Sequence, residues 1–194
     1  MGRIKSALEI ALEKTEAVKS DKTGIEQFGA KQQGKRLANE FLAGGASLED
    51  SVKKCPKDQQ AALKQGIFDV LVAQITLPAV KEDEKKLETA GKGLQIIIGD
   101  HRFAALFKQF IQAMTQYLDE AAQYEEAIKR QYAPKLRQKE EELARRLGRQ
   151  VRLDPFQDPE FVAFYNQNMT ALKTNYQGVV DQVREQAALL FGKA

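Results

Sequence analysis

Few residues in this chain are equipped for chemistry. His101 is the only histidine and Cys55 the only cysteine. A ferritin-like di-metal site takes Glu-x-x-His from two helices, and a zinc site needs several His or Cys ligands, so neither can be assembled here. A nucleophilic pair would have to be made of Cys55 and His101, which share no motif. His101 beside Asp100 reads as a surface residue, and Cys55 as a small residue at a helix end. Gly91-Lys92-Gly93 has the glycines of a phosphate loop but lacks the Walker spacing, the Ser/Thr after the lysine and a preceding strand. It reads as a pair of small residues where helices approach closely. Glu82-Asp83-Glu84, Asp119-Glu120, Glu125-Glu126 and Glu140-Glu141-Glu142 offer paired carboxylates, which do acid–base work only in a sheltered cleft. These alternate with lysines and arginines on helical patterns and read as solvated faces. The expectation is a non-enzymatic protein with no catalytic residue, metal or cofactor.

What remains is ionic. The chain carries a net charge of only +3, but residues 129–152 hold nine Lys/Arg against three Asp/Glu. Residues 101–128 hold two against four, and residues 153–194 three against five. Arg145, Arg146, Arg149 and Arg152 are the candidate contact residues, with Lys135, Arg137 and Lys139 upstream. A guanidinium grips carboxylate or phosphate with two parallel hydrogen bonds, so an acidic protein face, nucleic acid or an acidic membrane surface each fits. Val151, Leu153 and Phe156 add apolar contact, which suits a protein or membrane partner better than a duplex groove. The competing reading is a solvated turn whose arginines pair with Glu140–Glu142, Asp154 and Asp158.

The elements that must position this group are helices. From Phe103 the apolar residues recur at alternating gaps of four and three: Phe107, Phe110, Met114, Tyr117, Ala121, Tyr124, Ile128. That is one face of a helix packed along another. The stripe continues through Tyr132, Leu136, Leu143 and Leu147, with a four-four stutter that relaxes a left-handed supercoil. Pro134 lies in the stutter, where it removes a backbone hydrogen bond and should bend the helix. Gly148 marks a stop, and Asp158-Pro159-Glu160 is a helix start with cap, first-position proline and first-turn acid. A second stripe follows: Phe161, Tyr165, Asn168, Leu172, Tyr176, Val179, Val183, Ala187, Leu190. A turn at residues 149–157 would set Leu143 near Phe161 and Ile128 near Tyr176. Asn168 falls at a seam position, where a buried amide would fix register; equally, it faces solvent if Tyr165 and Leu172 make the contact alone.

Upstream, Ile4, Leu8, Ala11, Leu12, Thr15 and Val18 mark a first helix ending near Ser20-Asp21-Lys22. Thr23 with Glu26 reads as a capping box opening a second, which Gly44-Gly45 end. Ser47 with Asp50 caps a short helix over residues 48–54. Pro56 suits the first turn of the next, which carries Leu63, Ile67, Phe68, Leu71 and Ile75 and should be the most buried of this half. Pro78 begins a further helix with Val80, Leu87, Leu94 and Ile98 on one side. Ile96-Ile97-Ile98 would suit a strand, but no second strand exists to pair with it, so it reads as helix.

The fold class is therefore all-α: an N-terminal body of four to five helices over residues 1–99, and a long antiparallel, coiled-coil-like helical hairpin over 100–194. The hairpin is kinked near Pro134, and its first turns, 101–112, pack into the body. With one cysteine there is no intrachain disulfide, and the N-terminus lacks the apolar core of a secretory signal. Gly2 and Ser6 match a loose myristoylation pattern too short to weigh. Cytoplasmic location follows as the default. The leading functional reading is a helical scaffold or adaptor with an unknown protein partner, self-associating as a homodimer through the arms. The alternatives are an anion-binding module acting on nucleic acid or an acidic membrane surface, and a small-ligand carrier or enzyme with a pocket in the body.

Overall fold

The computed structural model describes residues 7–45 and 47–192, with side chains from residue 23 onward. The side chains of the stripe Ile4–Val18, and the Gly2/Ser6 pair, lie outside the described residues. The described chain is all-helical and contains no strand. Six α-helices follow in order: α1 Ala7–Leu42, α2 Leu48–Lys54, α3 Gln60–Ala73, α4 Glu82–Ile98, α5 His101–Leu147 and α6 Pro159–Phe191, with a short 3-10 turn at Pro155–Gln157. Ile96-Ile97-Ile98 is helical, at the end of α4. Among the described residues no helix is long and apolar enough to cross a membrane.

The chain forms two compact units. Unit 1 comprises Met1–Gln74, Thr89–His101 and Leu190–Ala194; unit 2 comprises Ile75–Glu88 and Arg102–Leu189.

In unit 1, α1 is a single helix where a break at Ser20-Asp21-Lys22 was expected. Those three residues only weakly disfavour helix, and none is Gly or Pro. Thr23 is thus interior, so the capping box with Glu26 does not form. The helix ends at Gly44, with φ +83. The Gly44 N–H donates to the Phe41 carbonyl and the Gly45 N–H to that of Glu40, both at 2.9 Å, which is a Schellman stop. Ser47 then caps α2, its hydroxyl accepting from the Asp50 N–H. Helix α3 buries Leu63, Gly66, Ile67, Phe68 and Leu71. It lies close against α1: a Cβ added to Gly34 would strike the Leu63 carbonyl oxygen, and one added to Gly66 the Lys31 carbonyl oxygen. Gly93 is likewise packed against Leu71, Phe41 and Leu48, so the Gly-Lys-Gly segment serves close packing. Phe68 stacks on Phe191 with ring centroids 4.3 Å apart.

In unit 2, helix α4 begins at Glu82 and not at Pro78. The Asp83 carboxylate accepts from the Ala79 and Val80 N–H groups and holds that stretch as a turn ahead of the helix. Helix α5 continues through Pro134. Tyr132 is buried and Leu136 packs against the core, so the helix is anchored on both sides of the proline. The core of the α5–α6 pair is Tyr117, Ile128, Tyr132, Phe161, Met169 and Leu172. Tyr117 meets Tyr176 at 5.1 Å and Tyr132 meets Phe161 edge-on at 5.2 Å, so the two helices run in opposite directions. This register is about three helical turns away from the one the turn position suggested. Phe161 pairs with Tyr132 in place of Leu143, and Tyr176 with Tyr117 in place of Ile128. The reason lies in the connection, which folds back along α5 before α6 begins.

Candidate interaction site

Helix α5 stops at Gly148, which takes φ +66 and donates its N–H to the Ala144 carbonyl at 2.9 Å. The chain then returns beside the last turns of α5. Glu140 accepts the Leu153 N–H at 2.8 Å and pins that return. Asp154 accepts the Phe156 N–H at 3.0 Å and opens the 3-10 turn. Asp158 caps α6 by accepting the Glu160 N–H at 3.1 Å, and Pro159 follows at the first helical position.

Asp158 is the one buried charged residue among those described. Burying a carboxylate is costly unless it is paired and hydrogen-bonded. Here Lys139 Nζ reaches both its oxygens, at 2.8 and 2.7 Å, and the Tyr132 hydroxyl donates to Oδ2 at 2.9 Å. Lys139 also contacts Glu160 at 2.7 Å, and Lys135 contacts Glu160 at 3.0 Å. The Lys139 ammonium holds the Asp158 carboxyl below the usual range against the opposing push of burial, helped by Tyr132 and the Glu160 N–H. Hydrogen bonds to Asp158 and then Glu160 raise Lys139 in turn. Lys139 and Lys135 first keep Glu160 ionised below its ordinary range. Two of the upstream lysines are therefore committed to fastening α6 onto α5.

The arginines are not. Arg145, Arg146, Arg149 and Arg152 are all exposed, and none has an ion-pair partner among the described residues. Of the nearby acids, Asp158 is engaged by Lys139 and Tyr132, Glu140 by the Leu153 N–H and Asp154 by the Phe156 N–H, while Glu141 and Glu142 are exposed. The four do not converge on one point. Arg152 shares a groove of about 230 Å³ with Arg137, Glu140, Glu141, Gln150 and Val151. Arg146 lines another, of about 300 Å³, with Lys139, Glu142, Leu143, Leu153 and Asp158. Arg145 and Arg149 line neither. Phe156 is 46 % exposed, but its ring stands edge-on to Phe161 and Tyr165 at 5.2 and 5.3 Å, with Lys129 at 5.7 Å. Its packing inside unit 2 was not visible in the sequence, which showed only an aromatic in a turn. Nor was the Tyr132–Lys139–Asp158 network: the helix start at 158–160 was readable, its lysine partner was not.

The other candidates take quiet positions. His101 is 97 % exposed, with Nδ1 3.9 Å from Asp100. Cys55 caps the end of α2; partial burial and then the Asp58 charge push its thiol above the ordinary value, away from the reactive thiolate. Asn168 donates to the Phe164 carbonyl of its own helix at 2.7 Å and so bridges no seam. A hollow of about 440 Å³ in unit 2 is walled by Leu77, Tyr117, Leu118, Tyr165 and Met169. Its carboxylate, Glu125, is ion-paired with Lys129 at 2.7 Å and accepts from the Tyr165 hydroxyl. No group of His, Cys, Asp and Glu able to hold a metal occurs among the described residues.

No curated protein and no solved structure matches the chain. The family described as "Family of unknown function (DUF6657)" matches residues 49–188, a span that takes in the α5–α6 core and the arginine-bearing connection and leaves out α1. On that match over most of its length, the chain belongs to the DUF6657 family.

Proposed function

We propose that the protein is a non-enzymatic helical scaffold or adaptor whose partner contact is made at residues 145–156, by an acidic protein surface. One observation carries this reading. The connection is held in place by Lys139, Tyr132 and Glu140, while its arginines are exposed and have no ion-pair partner among the described residues. Pinned backbone with free guanidinium groups pre-pays part of the ordering cost of binding. Half-buried Val151 and Leu153 lie among these arginines and supply apolar contact. The spread of the arginines over two grooves and an open surface favours an extended partner over a single small anion. Glu125, the carboxylate of the unit 2 hollow, is tied to Lys129, which supports an interaction role over a pocket enzyme.

The second reading, an anion-binding module for nucleic acid or acidic membrane, rests on the same unpaired guanidinium groups. One titration separates the two. At low salt the protein is mixed with a fluorescent polyglutamate peptide, a single-stranded oligonucleotide, or vesicles containing phosphatidylserine. The adaptor reading expects salt-dependent binding of the peptide, abolished by changing Arg145, Arg146, Arg149 and Arg152 to Glu. Binding of only the oligonucleotide or the vesicles would establish the second reading instead. Binding of none would overturn both.

A further inference from the structure

The rings between α5 and α6 leave a space that they do not fill. Tyr117 meets Tyr176 and, farther along, Tyr132 meets Phe161 and Phe164. Between these ring contacts α5 carries Ala121 and Ala122, whose side chains end at Cβ. Both line the hollow of about 440 Å³, a size within the roughly 300–1,000 Å³ of small-molecule sites. Three segments of unit 2 wall it: Leu77–Ala79, α5 from Tyr117 to Glu125, and α6 from Tyr165 to Lys173. The first segment is fixed in place. Pro78 is buried, Leu77 packs on the core, and the Asp83 carboxylate takes the Ala79 and Val80 N–H groups at 3.1 and 3.3 Å. A wall ordered before binding spares a ligand part of the ordering cost.

We infer that this hollow binds a small amphipathic monocarboxylate, with its hydrocarbon part among Leu77, Leu118 and Met169 and its carboxylate at Lys173. The wall holds two charged residues, Glu125 and Lys173, and they are not equivalent. Glu125 is met by Lys129 at 2.7 Å and accepts from the Tyr165 hydroxyl at 3.4 Å. Lys173 is exposed and has no ion-pair partner among the described residues. The charge left over on the wall is therefore positive, and it selects an anion and opposes a cation. One ammonium balances one negative charge, which favours a carboxylate over a doubly charged phosphate ester. Tyr117 supports the same ligand. It is buried, and burial alone raises its phenol, with no hydrogen bond contributing. Its proton therefore stays on the oxygen as a donor. The remaining wall is mostly apolar and offers water few partners, so a hydrocarbon that displaces water there gains affinity.

This inference is independent of the arginine-bearing connection, and its test separates the two. Binding of octanoate, octanol and octyltrimethylammonium to the full-length protein is measured by equilibrium dialysis, with circular dichroism confirming unchanged helix content in each variant. One octanoate per chain is expected, held about tenfold more tightly than octanol, with no binding of the ammonium ion. Ala121→Leu fills the hollow and should abolish octanoate binding. Lys173→Glu, at an exposed position that the fold does not depend on, should weaken octanoate by about tenfold and leave octanol unchanged. Changing Arg145, Arg146, Arg149 and Arg152 to Glu should leave octanoate binding intact. No saturable binding of octanoate overturns the inference. So does octanoate binding that survives both Ala121→Leu and Lys173→Glu, or that is lost with the four arginines. Equal affinity for octanoate and octanol overturns the carboxylate assignment.

Discussion

The two units bury helix pairs by opposite means. In unit 1, α1 and α3 approach so closely that Gly34 and Gly66 each face a backbone carbonyl of the other helix. In unit 2, α5 and α6 are held apart by rings: Tyr117 on Tyr176, Tyr132 on Phe161 and Phe164. The first interface depends on the absence of atoms and the second on their presence. The glycine contact has no slack, because a backbone carbonyl cannot turn aside as a side chain can. The aromatic contact tolerates small shifts but concentrates its energy in a few large residues. The aromatic pair also leaves room at its edge for a polar fastening, the Lys139–Asp158 contact at 2.7 Å.

That contrast can be broken first at its aromatic end. Phe161 is fully buried, and Phe161→Ala should cost about 3–5 kcal/mol. Hydrogen exchange read by segment should show the loss in α5 and α6 while α1 and α3 keep their protection. Equal loss in both units would show that they do not unfold separately. The glycine end should respond by position. Gly66→Ala drives a methyl into the Lys31 backbone and should cost about 1–3 kcal/mol. Gly29→Ala lies in the same pair's longer helix with nothing within 4 Å, and should stabilise by about 1 kcal/mol. Denaturant midpoints of the two variants moving in the same direction would contradict the close-approach account.

The smallest effect is electrostatic. Asp158 and Glu160 ionise below their ordinary values in the folded chain, and Lys139 above its own. A depressed carboxylate stabilises the fold above its unfolded pKa of about 4, and the gain disappears as pH falls through the folded value. A raised lysine stabilises below its unfolded pKa of about 10.4, and the gain disappears as pH rises through the folded value. The fastening should therefore hold across the neutral range and fail toward both extremes. Asp158→Asn keeps the helix cap but removes the charge. Its melting temperature should depend less on pH below about 4 than that of the natural protein.

Much of this was legible in the residues. The stripe from Phe103 named most of the buried face of α5: Phe103, Phe107, Phe110, Met114, Tyr117, Ile128 and Tyr132 are buried, whereas Tyr124 and Leu147 are exposed. Gly44, Ser47, Gly148 and Asp158-Pro159 marked true element ends, because stops and caps are local events set by one or two residues. Ser20-Asp21-Lys22 misled for the complementary reason. Three weakly unfavourable residues do not end a helix that continues into strong packing at Ala30 and Ala38. At the connection, the residue types were readable but their division of labour was not. Lys135, Lys139 and the four arginines look alike in a charge count, yet the lysines are bound to Asp158 and Glu160 and the arginines to no acid among the described residues.

By itself, then, the sequence determined an all-helical chain, the faces that turn inward, and the segment where positive charge gathers. Periodicity and capping suffice for these, since each is written within a few residues. The tertiary structure alone decided the register of α5 against α6 and which acids remain for the arginines. Both depend on the path of residues 149–158, which is set by Glu140 taking the Leu153 N–H and Lys139 taking Asp158. Those contacts join residues 13 and 19 positions apart, and no local pattern encodes them.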